Sequence, residues 1–356
     1  MNLRPERLLA VLALAAISCG APRTAPLPAP VEEPQPLRAT LLFTGDVMQH
    51  LPQVHAARRG DGFDYAPVFA AVRPHFEAAD LTVVNLETTL ASAPPYTGYP
   101  LFRSPAALAD ALAEAGVDAA TLANNHCCDG GGAGIRTTIG ELDRCGILHT
   151  GTFADSLDRA ANHPLRIDRC GIRFALLSYT YGTNGMSVPR GTEVNRIDTL
   201  RMAADLAEAR RGGTDCVAVC IHWGNEYQRQ PDAGQRRLAD FLRRHGADLV
   251  IGHHPHVVQP CEADSTHAVC YSLGNFVSNQ RQRYRDGGLM ARIDVVRRPD
   301  GSMRYDLKTI PVWVSLPGYR ILPPEAADST SAACRRFLAD TDSLLGKGLS
   351  INRMGL

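Results

Sequence analysis

Residues 248–276 constrain the fold of this chain more than any other stretch. Within them the apolar run 249–251 predicts a buried strand, and His253, His254 and His256 follow it closely. Histidines clustered at the end of a buried strand are typical of a metal or phosphate site, because a neutral imidazole nitrogen is a good ligand for borderline metal ions. The alternative interpretation is a set of hydrogen-bonded loop histidines. We favour the metal site, because an apolar run followed by Asp, Asn, Glu or His recurs four more times.

Side chains that can bind metal follow the other predicted strands as well. In an open parallel sheet the carboxyl ends of the strands lie along one edge, so these side chains should converge there. Together they form an oxygen and nitrogen ligand set suited to one or two divalent ions such as Mn, Fe or Zn. The motifs are Gly45-Asp46-Val47-Met48-Gln49-His50, Asn85-Leu86-Glu87, Asn124-Asn125-His126 with Asp129 just behind, and His222-Trp223-Gly224.

Strand and helix patterns alternate from residue 38 onward. The strands are continuous apolar runs, as expected when helices or a second layer cover both faces, and the pattern predicts a single α/β domain. Predicted strands are 39–44, 81–86, 118–123, 173–179, 216–222 and 249–251, and predicted helices are 66–79, 105–115, 134–144, 199–211 and 235–245. After these come a hairpin of strands 289–296 and 303–314 and a closing helix at 331–345.

The N-terminal residues 1–19 have the pattern of a targeting segment. Arg4 and Arg7 precede an apolar run that is too short to span a bilayer, and small residues then lead to Cys19. This pattern predicts a bacterial lipoprotein signal peptide in which Cys19 carries the lipid, and a plain secretory signal is the alternative. Residues 20–36 are rich in Pro, Ala and Glu, which predicts an extended linker. The protein is therefore expected in the cell envelope, at the periplasm or cell surface.

The cysteines predict one disulfide bond. Of the ten cysteines, nine remain once Cys19 is set aside, so at least one stays free if the others pair. The best pair is Cys261 with Cys270, because they flank a short polar turn and a hairpin would place them directly opposite each other. Cys127 and Cys128 follow a histidine, and we interpret them as small buried residues in preference to thiolate ligands.

Several of these motifs, taken in order, resemble the CapA family of capsule or poly-γ-glutamate synthesis proteins from about residue 39 to 314. That family is in turn similar to calcineurin-like metallophosphoesterases. The resemblance implies a single-domain, four-layer α/β/β/α sandwich with a dinuclear metal centre at the strand ends, spanning 37–322, with a C-terminal helix and tail at 323–356. The motifs are Gly45-Asp46-Val47-Met48, Asn85-Leu86-Glu87, Phe102-Arg103-Ser104-Pro105, Ala123-Asn124-Asn125-His126, His222-Trp223-Gly224, Gly252-His253-His254-Pro255-His256 and Tyr271-Ser272-Leu273-Gly274-Asn275-Phe276.

The resemblance also implies roles for individual residues. His253 is an alternative to His254 as the first histidine ligand of the final pair, because the motif carries one extra histidine. Met48 stands where the phosphoesterases have the histidine of an Asp-x-His motif, and its thioether is a poor ligand for a hard ion. His50 is close by but has the wrong spacing. The implied metal ligands are Asp46, Glu87, Asn125, His222, His254 and His256, and the implied catalytic residues are His126, Asp129 and Arg103.

The activity implied by the resemblance is metal-assisted hydrolysis or transfer. His126 would protonate the leaving group, and Arg103 would pair with an anionic substrate unless it only forms a surface ion pair. The substrate would be an anionic polymer such as γ-linked glutamate, or a phosphorylated small molecule. A non-catalytic lipoprotein that binds capsule polymer or export partners is the competing hypothesis. The expected partners are the membrane, through the lipid on Cys19, and capsule-synthesis proteins. Nucleic acid is not expected, because 37 basic and 37 acidic residues balance.

Overall fold

The structure is a computed structural model that describes residues 35–327 and 331–346. The predicted signal peptide, Cys19 and nearly all of the predicted linker lie outside the described residues. Within the described part of the chain, no helix is both long enough and apolar enough to cross a membrane.

Twenty strands form within the described residues, most of them short. In chain order they are β1 Leu37–Val47, β2 Arg58–Arg59, β3 Gly62–Phe63, β4 Leu81–Leu86, β5 Thr89–Ala91, β6 Arg103–Pro105, β7 Ala119–Thr121, β8 Leu148–Thr150, β9 Thr152–Phe153, β10 Leu165–Arg169, β11 Ile172–Thr180, β12 Glu193–Val194, β13 Cys216–His222, β14 Leu249–His253, β15 Cys261–Ala263, β16 Ala268–Cys270, β17 Asn275–Val277, β18 Gly287–Arg297, β19 Met303–Ser315 and β20 Arg320–Leu322.

Nine α-helices lie between these strands in the same described ranges. They are α1 Leu51–Ala57, α2 Ala66–Phe69, α3 Arg73–Glu77, α4 Ala107–Ala115, α5 Gly131–Arg144, α6 Ser156–Asn162, α7 Thr199–Arg211, α8 Ala233–Arg244 and α9 Ala332–Leu345. The single helix predicted at 66–79 is wrong, since the chain forms two short helices there. Pro74 lies in the first turn of α3, where its missing N–H costs nothing, but it cannot continue a preceding helix.

The strands form two large sheets. The first has eight strands in the order β20-β19-β18-β1-β4-β7-β8, with β17 also pairing β1. Its β1, β4, β7 and β8 run parallel, while β18, β19 and β20 extend it as an antiparallel meander. The second has six strands in the order β10-β11-β13-β14-β16-β15, parallel from β11 to β16. Strands β1, β4 and β7 of the first sheet and β13 and β14 of the second end in or just before the motifs that carry the ligand-type side chains.

The two sheets pack face to face, and helices cover the outer face of each. Because side chains alternate along a strand, Leu41 and Phe43 of β1 share one core with Leu176 of the second sheet. Leu42, on the opposite face of β1, belongs to a core that includes Leu112 of α4. The outer face of the second sheet packs in the same way against α7 and α8. These layers confirm the four-layer α/β/β/α sandwich. The boundary between 322 and 323 stays a prediction, and α9 packs against the core between the sheets.

The predicted disulfide between Cys261 and Cys270 is not present. The predicted register is right, because the two residues face each other across β15 and β16, but both are free thiols. They are 6% and 0% exposed in the core between the sheets, where a cysteine packs as a small apolar side chain. Cys127 and Cys128 are buried free thiols, as expected.

Candidate metal centre

The ligand-type side chains converge where the carboxyl ends of the two sheets meet. The first sheet contributes Asp46 from β1 and Glu87 directly after β4. The second contributes His222 at the end of β13, and His254 and His256 just after β14. All five are less than 5% exposed. The sequence placed these residues on one edge of one sheet, whereas the structure places them on facing edges of two.

Two glycines allow the backbone to close around this region. A Cβ atom on Gly45 would collide with the carbonyl oxygen of Gly274, so the absence of a side chain lets β1 lie against the start of β17. A Cβ atom on Gly252 would collide with the carbonyl oxygen of Tyr271. The residues that follow Gly45 and Gly252 are therefore held on closely packed backbone, which fixes Asp46 and the histidines after β14 in position.

Glu87 lies at the centre of the ligand set. Its ligand atoms come within 4.8 Å of those of Asp46 and His222 in one group, and of those of His254 and His256 in another. Both carboxylate oxygens of Glu87 are buried and accept no hydrogen bond. Glu87 is thus the one carboxylate side chain common to both ligand groups.

The distances between the ligand atoms lie within a few tenths of an ångström of those around a metal ion. Two ligands that each lie about 2.1 Å from one ion, at angles of 90–110°, are separated by roughly 3.0–3.4 Å. His222 Nε2 lies 2.8 Å from Asn125 Oδ1 and 3.5 Å from Glu87 Oε1. His256 Nε2 lies 3.7 Å from the same Glu87 oxygen. The side chains present therefore fit a divalent ion.

Two asparagines hold the ligands Asp46 and His256. Asn85 donates through Nδ2 to Asp46 Oδ1 at 2.8 Å. His256 Nδ1 lies 3.1 Å from Asp46 Oδ2 and 3.1 Å from Asn275 Oδ1. Both asparagines stand within the motifs of the sequence, but their supporting role was not predicted. Such partners fix the orientation of metal ligands.

A contact across the two sheets keeps His253 out of the ligand groups and leaves His254 as the candidate ligand. His253 Nε2 lies 3.0 Å from the carbonyl oxygen of Thr44 in β1, so this ring links the sheets and takes no part in either ligand group. The His254 ring instead lies beside the His222 ring, with centroids 4.8 Å apart and the ring planes tilted by 52°. The backbone of His254 has φ +97° and that of His256 has φ +56°. Such left-handed conformations are costly for these residues and are often found at functional sites.

Burial and neighbouring charges shift the pKa values of the ligands strongly. Burial, and then the charge of Asp46, raise the pKa of Glu87 to about 8. Burial alone would lower the pKa of His256, but Glu87 and the contact with Asp46 raise it to about 9. Burial alone would raise the pKa of Asp46, but His256 holds it below its usual range. Burial lowers the pKa of His254 to about 2. Burial thus favours the neutral form of Glu87, whereas the contact between Asp46 and His256 favours the charged form of each.

His126 and Asp129 form a pair beside the ligand set. His126 Nδ1 lies 2.7 Å from Asp129 Oδ2, and the Asp129 side chain is fully buried. The same Asp129 oxygen accepts a hydrogen bond of 2.6 Å from the backbone N–H of Phe102. The Phe102 ring packs edge-on against His126, with centroids 4.5 Å apart. Asp129 therefore orients the imidazole and leaves Nε2 of His126 available.

Three other residues from the sequence analysis lie outside the ligand groups. Arg103 donates through Nη1 to the carbonyl oxygen of Pro95 at 2.6 Å and is not among the residues that line the cleft described below. Met48 is 2% exposed and lines that cleft. His50 lines it as well, and burial lowers the pKa of His50 to about 4.

A cleft of about 330 Å³ opens beside the ligand set. His126 and His256 both line it, so a molecule in the cleft could contact the candidate acid and a candidate ligand. Sequence reasoning missed the polar residues that line the rest of it. No motif included them, because they lie in loops between the strands and outside the motifs. They are Tyr99, Glu226, Tyr227, Asn279, Gln280, Gln282 and Arg285.

The fold and this site define a class: an α/β/β/α sandwich with a buried carboxylate and imidazole centre at its strand ends. Residues 40–280 match the family model described as bacterial capsule synthesis protein PGA_cap. This match covers more than half of the chain, and the chain belongs to that family. The resemblance to CapA proteins is thereby confirmed.

Named relatives agree with this assignment. The capsule biosynthesis protein CapA of Bacillus anthracis is 29% identical over 273 residues, which cover 74% of this chain and 65% of the relative. The PGA biosynthesis protein CapA of Bacillus subtilis (strain 168) is 27% identical over 286 residues, which cover 77% of this chain and 72% of the relative. The chain therefore spans slightly less than two thirds of the length of the Bacillus anthracis protein.

Two nucleotidases are similar among solved structures. The Haemophilus influenzae NAD nucleotidase has a TM-score of 0.48 at 11% identity, covering 87% of this chain and 56% of that one. The 5'-nucleotidase of Candida albicans SC5314 has a TM-score of 0.39 at 13% identity, covering 71% of this chain and 46% of that one. Both scores lie below 0.5, so the fold assignment depends on the sheets and cores of this chain itself.

Proposed function

We propose that this chain is a metal-dependent hydrolase or transferase that acts in the synthesis of capsule or poly-γ-glutamate. The observation that carries the proposal is the Glu87 carboxylate, which is fully buried and has no hydrogen-bond partner on either oxygen. A buried carboxylate costs several kcal/mol unless a cation lies beside it. The surrounding imidazoles and Asp46 complete a ligand set for one or two Mn, Fe or Zn ions.

The chain's own residues account for the rest of the chemistry. When bound, a divalent ion would polarise the reacting bond of the substrate and lower the pKa of a water molecule. Asp46, Glu87, Asn125, His222, His254 and His256 would hold it. His126, oriented by Asp129, lies at the cleft and would donate the proton that the leaving group needs.

The printed names of the relatives support the substrate class. Two are called capsule or PGA biosynthesis proteins, and a Mycobacterium tuberculosis relative is called a probable polyglutamine synthesis accessory protein. We propose an anionic polymer of this kind as the substrate, with a phosphorylated small molecule as the second candidate. Capsule-synthesis proteins are the proposed partners.

Metal analysis tests this proposal. We expect the purified protein to contain one or two equivalents of Mn, Fe or Zn. Chelator should lower its melting temperature by roughly 5 °C, and added metal should restore it, because an ion that binds only the folded state stabilises it by mass action. The loaded protein should cleave a γ-glutamyl oligomer or a phosphomonoester, which mass spectrometry of the products would identify.

A protein without metal, whose melting temperature ignores both chelator and added Mn or Zn, would contradict the proposal. The chain would then be a non-catalytic protein that binds capsule polymer or export partners through the same cleft. Met48 favours this second function, because a thioether stands where the resemblance implies an imidazole ligand.

We propose further that the protein is exported and held at the cell envelope by a lipid on Cys19. Cys19→Ser is expected to abolish acyl labelling and to move the protein from the membrane fraction to the soluble fraction. Cys170→Ser is the control, because Cys170 is an exposed free thiol in the folded part of the chain. Unchanged labelling and fractionation of Cys19→Ser would show that the lipoprotein interpretation is wrong.

A further inference from the structure

We infer that Arg285 binds the anionic group of the substrate in the cleft beside the metal centre. This inference rests on the proposed function for the identity of the reaction, but anion binding by Arg285 can be measured without turnover. Arg285 would take the role that the resemblance implied for Arg103, whose guanidinium donates to the carbonyl oxygen of Pro95 and does not line the cleft.

Arg285 shares the cleft with the reactive groups. It lines the same space of about 330 Å³ as His126 and His256. A substrate whose reacting bond lies at these histidines would place a neighbouring carboxylate or phosphate within the same cleft. The planar guanidinium of an arginine matches either anion through two parallel N–H donors.

The side chain of Arg285 is held in place by Tyr227. Its guanidinium carbon lies 3.3 Å from the centroid of the Tyr227 ring, which is a close cation–π contact. Tyr227 has a backbone φ of +69° and donates its N–H to the carbonyl oxygen of Pro255 at 2.8 Å. Left-handed backbone is strained for tyrosine, and this hydrogen bond to the loop between His254 and His256 helps to hold it. The backbone of Tyr227 is therefore tied to the loop that carries two candidate metal ligands.

The backbone of Arg285 is tied to the metal centre by a second path. Asn275 donates through Nδ2 to the carbonyl oxygen of Arg285 at 2.8 Å, and its Oδ1 lies 3.1 Å from His256 Nδ1. One asparagine thus connects Arg285 to a candidate metal ligand. The guanidinium is held by Tyr227 and the backbone of Arg285 by Asn275, so the position of Arg285 relative to the ligand set is fixed at both ends of its side chain. Recognition of a substrate group next to a reacting bond requires such positioning.

The guanidinium of Arg285 forms no ion pair with any carboxylate in residues 35–327 or 331–346. Arg283, two residues earlier, instead makes a two-bond pair with Asp340 at 2.9 and 2.8 Å. Glu226 lines the same cleft as Arg285, so a singly charged carboxylate should be repelled less than a doubly charged phosphate. The stacked arginine is thus left with donors for an incoming anion.

Steady-state kinetics on two substrates test the inference. Arg285→Gln is expected to raise KM by about 10- to 100-fold with little change in kcat and unchanged metal content, because one charge-assisted contact to the substrate is lost. Tyr227→Leu should raise KM less, because the charge remains but is no longer oriented. Arg283→Gln is the matched control and should leave KM within about twofold. A γ-glutamyl oligomer and p-nitrophenyl phosphate distinguish a carboxylate from a phosphate as the bound anion.

Equilibrium binding keeps the test valid if neither compound is turned over. The probes are then inorganic phosphate and the same γ-glutamyl oligomer, titrated calorimetrically into the full chain. Binding that is at least about 10-fold weaker in Arg285→Gln than in Arg283→Gln supports the inference even when the proposed activity fails. The inference is overturned if neither probe binds the unmodified protein, if the two variants bind alike, or if Arg285→Gln loses its metal.

Discussion

Replacing Glu87 by Gln is expected to remove bound metal and, in the presence of chelator, to make the protein more stable than its parent at alkaline pH. The glutamine has the shape of a neutral carboxyl group, which is the form that the metal-free site favours, because burial and Asp46 raise the pKa of Glu87 to about 8. The parent loses the stabilisation of a bound ion when metal is removed, whereas the variant has none to lose. Metal analysis and thermal unfolding with and without chelator measure both effects.

The pH dependence follows from the signs of the pKa shifts. Glu87 has a pKa of about 8 against an ordinary 4.5, and His256 about 9 against 6.5. Each binds its proton more tightly when folded, so each contributes stability that is lost as pH rises toward the folded pKa. The lowered pKa values of His222 and His254 act only below pH 6.5. The metal-free parent should therefore lose stability through Glu87 between pH 4.5 and 8 and through His256 between pH 6.5 and 9, by on the order of 1 kcal/mol per pH unit for each group within its own range.

In Glu87→Gln, the stability of the metal-free protein should fall less steeply with pH, because the contribution of Glu87 to the decline is removed. Glu114→Gln is the matched control, because Glu114 is an exposed carboxylate on α4, and its metal content and pH profile should equal those of the parent. Metal binding by the parent at pH 7 should also release protons from Glu87 and His256, which titration in two buffers would detect. A Glu87→Gln variant that keeps its full metal content, or that declines with pH as the parent does, would argue against the central position of Glu87.

Replacing His126 by Gln is expected to reduce turnover by about 10²- to 10⁴-fold while the metal content stays the same. The physical reason is that His126 lies at the cleft beside the ligand set, outside both ligand groups, and is oriented by Asp129. The loss should shrink as the leaving group becomes more acidic, since a leaving group such as nitrophenolate departs without a proton. Rates on a series of substrates with different leaving groups measure this dependence.

Two further variants separate proton donation from a structural role. Asp129→Asn keeps the shape of the orienting group and should cost less than His126→Gln, about 10- to 100-fold. His245→Gln is the control, because His245 is an exposed histidine at the end of α8 whose ring bonds to and stacks on Phe241 of the same helix. A loss in His126→Gln that is equal for good and poor leaving groups, or that is accompanied by loss of metal, would rule out the acid role.

The sequence by itself determined most of the elements that carry the site. The bounds predicted for β4, β13 and α7 are those observed, because a buried strand or an amphipathic helix is encoded by apolar residues that are neighbours in the chain. The same local signal placed Asp46, Glu87 and His222 at strand ends. The hairpin register that sets Cys261 opposite Cys270 was also local.

Only the tertiary structure decided what depends on partners far along the chain. His253 and His254 are adjacent and chemically identical. Only His253 contacts the carbonyl oxygen of Thr44 on the other sheet, and it lies outside the ligand groups. Arg103 and Arg285 are likewise the same residue type, and the fold places one on Pro95 and the other on Tyr227 in the cleft. The sequence specifies which side chains are available, but their direction is set by contacts between the two sheets and their loops, which no local pattern encodes.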